Sequence, residues 1–128
     1  EGQNSSTIRR DARLMIMADQ SMECKKILKK YNKYEELKEE FYYHAYLACI
    51  GFYHTIYMKH KKEFFYKLHN LFSDLAHDKD FKFKYFTDEE KYETNLIINN
   101  KFYRTITIIR HLRKLRRFWI SFHISKKQ

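Results

Sequence analysis

Proline is absent from this chain, and glycine occurs only at Gly2 and Gly51. A β-sheet or α/β domain of this size needs turn formers at most of its chain reversals, so both classes are set aside. Helices joined by short polar connections remain. Cysteine is equally scarce. Cys24 and Cys49 are too few for a disulfide framework, and a reducing compartment is the simpler assumption. Two glycines cannot build a glycine-rich phosphate loop. No apolar run approaches the roughly 18 residues that a membrane-spanning helix requires. There is neither a secretory signal nor an initiating Met, and Glu1 opens a polar run. The sequence therefore reads as a piece cut from a longer protein.

Acid is missing from one place in particular. Of the 26 Lys/Arg, nine follow Asn100, and none of the 16 Asp/Glu does. The formal charge of +10 is almost entirely a property of that end. The basic residues there alternate with Ile106, Ile108, Ile109, Leu112, Leu115, Phe118, Trp119, Ile120 and Phe122, which a solvated basic tail would not need. At 100° per residue, Ile108, Leu112, Leu115, Trp119 and Phe122 stay within one stripe. Arg110, Arg113, Lys114 and Arg117 fall on the opposite half, and Arg116 flanks them. Such a helix can lie on a bilayer, with Trp119 and Phe122 at the headgroup boundary and the arginines on lipid phosphates. Equally, the apolar stripe can pack on the body of the protein while the cations face water.

What is present elsewhere fits one ordinary domain of 128 residues, with 44% apolar content, 11 Tyr, 11 Phe and one Trp. That composition argues against disorder. Ser5 and Ser6 are expected to cap a first helix reaching about Tyr31, with Leu14, Met17, Ser21, Cys24, Leu28 and Tyr31 inward. Lys25, Lys26, Lys29 and Lys30 would lie on its outer surface, where cations suit the helix C-terminus. After a break at Asn32-Lys33, a second helix is expected from Tyr34 to Met58, the central buried one. Phe41, Ala45, Ala48 and Phe52 are its expected core residues. A third, Lys61 to Leu75, carries the stripe Phe64, Leu68, Leu71, Leu75. His77 to Phe86 alternates polar and aromatic, so a short extended segment at 80–86 or a loop is expected. Thr87 and Glu90 have capping-box spacing and open a short helix to Ile98. Asn99-Asn100 ends it before the basic helix. The expectation is all-α: a single bundle of about five helices over residues 1–128.

Catalytic chemistry is hard to place. His54 and His60 are six apart, and His69 and His77 eight apart, so neither pair shares a helical face as two zinc ligands would. His44 and Cys49 do no better, and His44 and His54 are expected to satisfy hydrogen bonds in an aromatic core. Glu35/Glu39 and Glu36/Glu40 are spaced like carboxylate dyads but sit in a helix first turn beside Lys33 and Lys38, where a solvated turn is expected. Both cysteines occupy apolar positions. Asp78-Lys79-Asp80 matches the short DxD pattern of metal-dependent sugar-nucleotide enzymes, although three residues in a charged loop carry little weight. No catalytic residue and no metal ligand is assigned.

Glu1-Gly2-Gln3-Asn4-Ser5-Ser6 resembles the end of an Arg-Glu-Gly-x-x-Ser-like turn in family 2 glycosyltransferases. The succession that follows, through KYEELKEEF and HKKEFFYKL to the basic RHLRKLRRF, is similar in texture to the helical C-terminal region of bacterial members. The resemblance implies a GT-A catalytic domain upstream of Glu1, holding the DxD, the catalytic base, the nucleotide-sugar and its divalent metal. Only Glu1, Gly2 and Ser5 map onto the family's turn, which lies on the acceptor side. It further implies a cytoplasmic enzyme held at the inner face of the membrane, with this segment itself free of cofactor. Expected partners are the upstream catalytic domain and an anionic membrane surface, and the Tyr and Phe content would support a homodimer. The competing expectation is a stand-alone helical nucleic-acid-binding or protein-interaction module, with Arg110 to Arg117 tracking phosphates, and nucleic acid is the less favoured partner. A host-interaction bundle of a parasite or virus is supported by composition alone.

Overall fold

The computed structural model describes residues 10–99 and 112–117. Four helices of the body, α1 (Ile16–Lys30), α2 (Tyr34–Thr55), α3 (Met58–Phe72) and α4 (Asp88–Ile98), are followed by α5 (112–117). No strand occurs among the described residues, so the fold is an all-α bundle. The segment 80–86, a candidate for extended structure, is a loop.

A 3₁₀ turn, Ala12–Met15, leads into α1, and its cap is Asp11, whose carboxylate accepts the Arg13 N–H at 2.9 Å. Ser5 and Ser6, the caps expected from sequence, lie outside the described residues. The inward row runs Met15, Ala18, Lys25, with Met22 half-buried between them, one position from the stripe expected. Cys24 and Tyr31 are exposed. Lys25 is the reason for the shift, because its long apolar stem lies inward and only its amine needs polar company. Asn32, at φ 58, closes α1 in the left-handed region that Asn tolerates better than most residues.

From Phe41 on, α2 is apolar nearly all round, and its buried face is Tyr42, Ala45, Tyr46, Cys49 and Tyr53, with Lys38 buried ahead of them. Of the four residues expected in the core only Ala45 is buried. Phe41 and Ala48 are half-buried, and Phe52 is 36% exposed. The tyrosines win because their hydroxyls find partners inside. Tyr42 pairs with the Tyr34 hydroxyl at 2.7 Å, and the Tyr46 hydroxyl donates to Glu93 at 2.7 Å. α2 ends at Thr55, three residues before the expected Met58, and α3 begins there.

In α3 the expected stripe holds: Phe64, Leu68 and Leu71 are buried, and Leu75 follows in the 3₁₀ turn Ser73–His77. α1 packs on α2 and α3, and α4 packs on α3. Tyr42, Phe72 and Phe81 meet ring to ring at the centre.

Helix C-termini leave carbonyls without intrahelical donors, and glycine caps commonly meet that need. With so little glycine, this chain uses buried lysines. The Lys25 amine donates to the Leu71 carbonyl near the end of α3 at 2.9 Å, and the Lys61 amine donates to the Tyr53 carbonyl near the end of α2 at 2.6 Å. Each also sits over a tyrosine ring, Tyr42 at 5.5 Å and Tyr53 at 4.8 Å. A cation at a helix C-terminus is additionally favoured by the helix dipole.

The 78–87 loop is fastened to α2. The Glu39 carboxylate accepts the N–H of Lys82 at 2.7 Å and of Lys84 at 3.0 Å, straddling Phe83, which adopts φ 53. A left-handed aromatic residue costs roughly 1–2 kcal/mol. The two charge-assisted bonds and the packed rings of Phe81, Phe83 and Phe86 offset that cost. Glu39 is therefore a loop anchor rather than one member of a solvated acidic turn.

Candidate anion-binding groove

α4 starts from a complete capping box. The Thr87 hydroxyl accepts the Glu90 N–H and the Glu90 carboxylate accepts the Thr87 N–H. Asp88, Glu89 and Glu90 then fill the first turn, where the helix dipole favours negative charge. α5 lies with its cationic side toward this acidic turn. The Arg113 guanidinium reaches Glu89 at 4.0 Å and stands 5.7 Å from the Tyr92 ring centre. Between the two helices and α2 is a cavity of about 330 Å³. Glu89, Glu90 and Glu93 form one wall, Arg113, Lys114 and Arg117 the other, and Leu47, Ile50 and Leu96 the floor.

Leu112 and Leu115 point away from the body, 56% and 51% exposed. Arg116, Lys114 and Arg117 are exposed beside them. α5 thus presents Leu112, Leu115 and Arg116 to solvent, while Arg113, Lys114 and Arg117 line the cavity opposite the acids of α4. Of the other residues singled out in the sequence, Glu1, Gly2, Ser5, Ile108, Arg110, Trp119 and Phe122 lie outside the described residues.

A second charged cluster joins α1, α2 and the loop. Asp74 accepts Lys25 and Lys29, each at 2.9 Å. Lys38 bridges Glu35 at 2.8 Å and Asp78 at 2.7 Å. Lys25 is buried, which corrects its outer-surface placement, and Lys38 is buried as well, while Glu35, Glu36 and Glu40 around it are exposed as expected. Asp78, the first acid of the DxD match, also accepts the backbone N–H groups of Asp80 and Phe81. That carboxylate is committed to closing a turn.

Burial disfavours ionisation of Asp74, yet the Lys25 and Lys29 amines outweigh it and hold its pKa below the ordinary 3.8. Burial likewise opposes ionisation of Asp78, but Lys38 and the N–H groups of Asp80 and Phe81 prevail and lower its pKa. A depressed carboxylate pKa stabilises the fold above the unfolded value and loses that contribution as pH falls through the folded value. The bundle is therefore expected to lose stability below about pH 4, read as urea midpoints between pH 5 and pH 2. In Asp74→Asn/Asp78→Asn the slope should flatten. An unchanged slope would contradict this role.

The histidines are dispersed. His54 meets Glu93 at 2.9 Å, and His69 Nδ1 lies 2.9 Å from the Ile97 carbonyl oxygen. His44 is exposed on the outside of α2 instead of lying in the core. Among the described residues no three His, Cys, Asp or Glu side chains converge as metal ligands would. Burial pushes the Cys49 thiol up to about 11, which suits packing and not nucleophilic attack. Cys24 is exposed, against its expected apolar position.

The sequence singles out Arg113, Lys114 and Arg117, but of the wall opposite them only Glu90, and that as half of a capping box. Glu89, Glu90 and Glu93 are remote in sequence, and only the packing of α4 brings them over. Comparison of the chain with protein-family models, curated proteins and solved structures finds no match in any of the three.

Proposed function

We propose that this chain is the non-catalytic helical end of a family 2 glycosyltransferase, and that its basic helix holds the enzyme on an anionic membrane surface. The parentage rests on the resemblance of the opening Glu1-Gly2-x-x-Ser5 turn and of the helical succession after it. In that setting sugar transfer from a nucleotide-sugar, with its divalent metal, belongs to an upstream GT-A domain. The bundle would close the acceptor side at the cytoplasmic face.

The surface contact is carried by one observation: Leu112 and Leu115 are exposed on one side of α5 together with Arg116, while the likewise exposed Lys114 and Arg117 lie toward the cavity. Leucines in the headgroup boundary with cations on lipid phosphates is the arrangement of an interfacial helix. Phosphate tracking along nucleic acid has no use for the leucines, so lipid is preferred over nucleic acid. No helix among the described residues is long and apolar enough to cross a membrane, and attachment would be peripheral.

The parentage is tested by the coding sequence ahead of Glu1. A nucleotide-sugar domain with a DxD and a tyrosine-rich final strand is expected there. A stop codon, or an unrelated domain, would overturn it.

A further inference from the structure

We infer that the α2–α3 turn is a second contact with an anionic bilayer, with Tyr57 and Met58 entering the headgroup layer. It goes beyond the contact proposed for α5, since no residue of α5 takes part. α2 stops at Thr55 and α3 starts at Met58, so Ile56 and Tyr57 alone make the connection. Ile56 is buried and anchors the turn. The Tyr57 N–H donates to the Arg10 carbonyl at 2.7 Å, which pins the turn to the chain entering the bundle. The side chains that follow project instead of packing: Tyr57 is 53% exposed and Met58 57%. Helix connections are ordinarily polar, so this exposure serves no folding need. Short connections set α1, α2 and α3 alternately up and down. Exposed Ile16, at the start of α1, and Phe52, in the last turn of α2, therefore lie at the same end. Large apolar side chains gathered on a surface and rimmed by polar groups mark an interaction site.

The rim is cationic. Arg10, Arg13, Lys59 and Lys62 are exposed there, and none makes an ion pair with a described residue. The acids at this end are Asp11, whose carboxylate is committed to the Arg13 N–H, and Glu63. The opposite end exposes Tyr31 and Ile27 to a similar extent, but there Lys26 meets Glu23, Lys29 meets Asp74 and Lys33 meets Glu36. Cations left over around apolar side chains call for an anionic partner. A projecting turn suits a yielding headgroup layer, where Tyr and Met enter with cations on lipid phosphates. A rigid acidic protein would need a hollow matched to the turn, and a second copy of this chain would bring like charge to like.

Sedimentation of the full chain with vesicles of mixed phosphatidylglycerol and phosphatidylcholine tests this. Tyr57→Ser/Met58→Ser should weaken binding at least about tenfold and leave the urea midpoint unchanged. Lys59→Gln/Lys62→Gln should weaken it roughly thirtyfold, the effect of two cations at an anionic surface. Tyr31→Ser, at the opposite end, should change nothing. In Tyr57→Trp/Trp119→Phe, lipids brominated near the headgroup end of the acyl chain should quench the emission. Unchanged binding in Tyr57→Ser/Met58→Ser overturns the contact, and so does an equal loss in Tyr31→Ser or unquenched emission in Tyr57→Trp/Trp119→Phe. Dimerisation that Tyr57→Ser/Met58→Ser abolishes while vesicle binding stays intact would assign the turn to a second copy instead. The two membrane contacts fail separately. If Leu112→Asp/Leu115→Asp binds like the unmodified chain and Tyr57→Ser/Met58→Ser does not, the turn stands and the α5 role falls. The reverse result leaves α5 as the contact and removes the turn.

Discussion

Tyr42→Ala is expected to destabilise the bundle by about 3–5 kcal/mol, the usual cost of truncating a large buried aromatic. Tyr42 is 0% exposed and touches the rings of Tyr34, Phe41, Phe72 and Phe81, so no neighbour can relax into the space without unpacking another. Its hydroxyl partner Tyr34 would also be left alone. Phe52→Ala, on the same helix, should cost less than about 1 kcal/mol because its ring lies near the surface. Both are read as midpoints in urea unfolding. If Phe52→Ala proves the costlier of the two, α2 is rotated from the orientation described, and the floor of the groove moves with it.

Reversing Arg113, Lys114, Arg116 and Arg117 to Glu is expected to abolish binding to anionic vesicles. Each cation near such a surface contributes about 1 kcal/mol, so removing four weakens partitioning roughly a thousandfold before repulsion is counted. The bundle should stay folded. Among the described residues the Arg113–Glu89 pair and the Arg113 contact with the Tyr92 ring are lost, and the Arg113 and Glu89 side chains are both exposed enough for the pair to contribute little. Unchanged circular dichroism with lost vesicle binding is the expected pair of results. Retained binding would show that the cations are bystanders.

The two ends of the bundle were legible to different degrees. α3 shows itself because Phe64, Leu68, Leu71 and Leu75 recur at steps of four and three, and Phe65 and Phe72 lie beside that stripe and widen the same buried face. The capping box at Thr87 and Glu90 is legible for a similar reason, being local chemistry at fixed spacing. α2 resists because tyrosines, phenylalanines and small residues lie on every side. Periodicity cannot choose a face there, and the choice falls to hydroxyl partners on Tyr34 and Glu93 that lie elsewhere in the chain. Buried lysines are illegible for a different reason. Nothing local distinguishes Lys25 and Lys61 from the solvated lysines around them, because their partners are carbonyls of other helices. In the groove, the cationic wall is local and readable. The acidic wall and the floor come from α4 and α2 and exist only once those helices pack.

Sedimentation of the full chain with anionic vesicles, set against binding to a nucleic-acid duplex at the same salt, tests the surface role of α5 most directly. The chain should sediment with vesicles rich in anionic lipid, not with neutral ones, and Leu112→Asp/Leu115→Asp should release it while every cation remains in place. If that variant still sediments fully, or if the duplex binds tightly and the vesicles do not, α5 is an electrostatic contact for phosphates and not an interfacial helix.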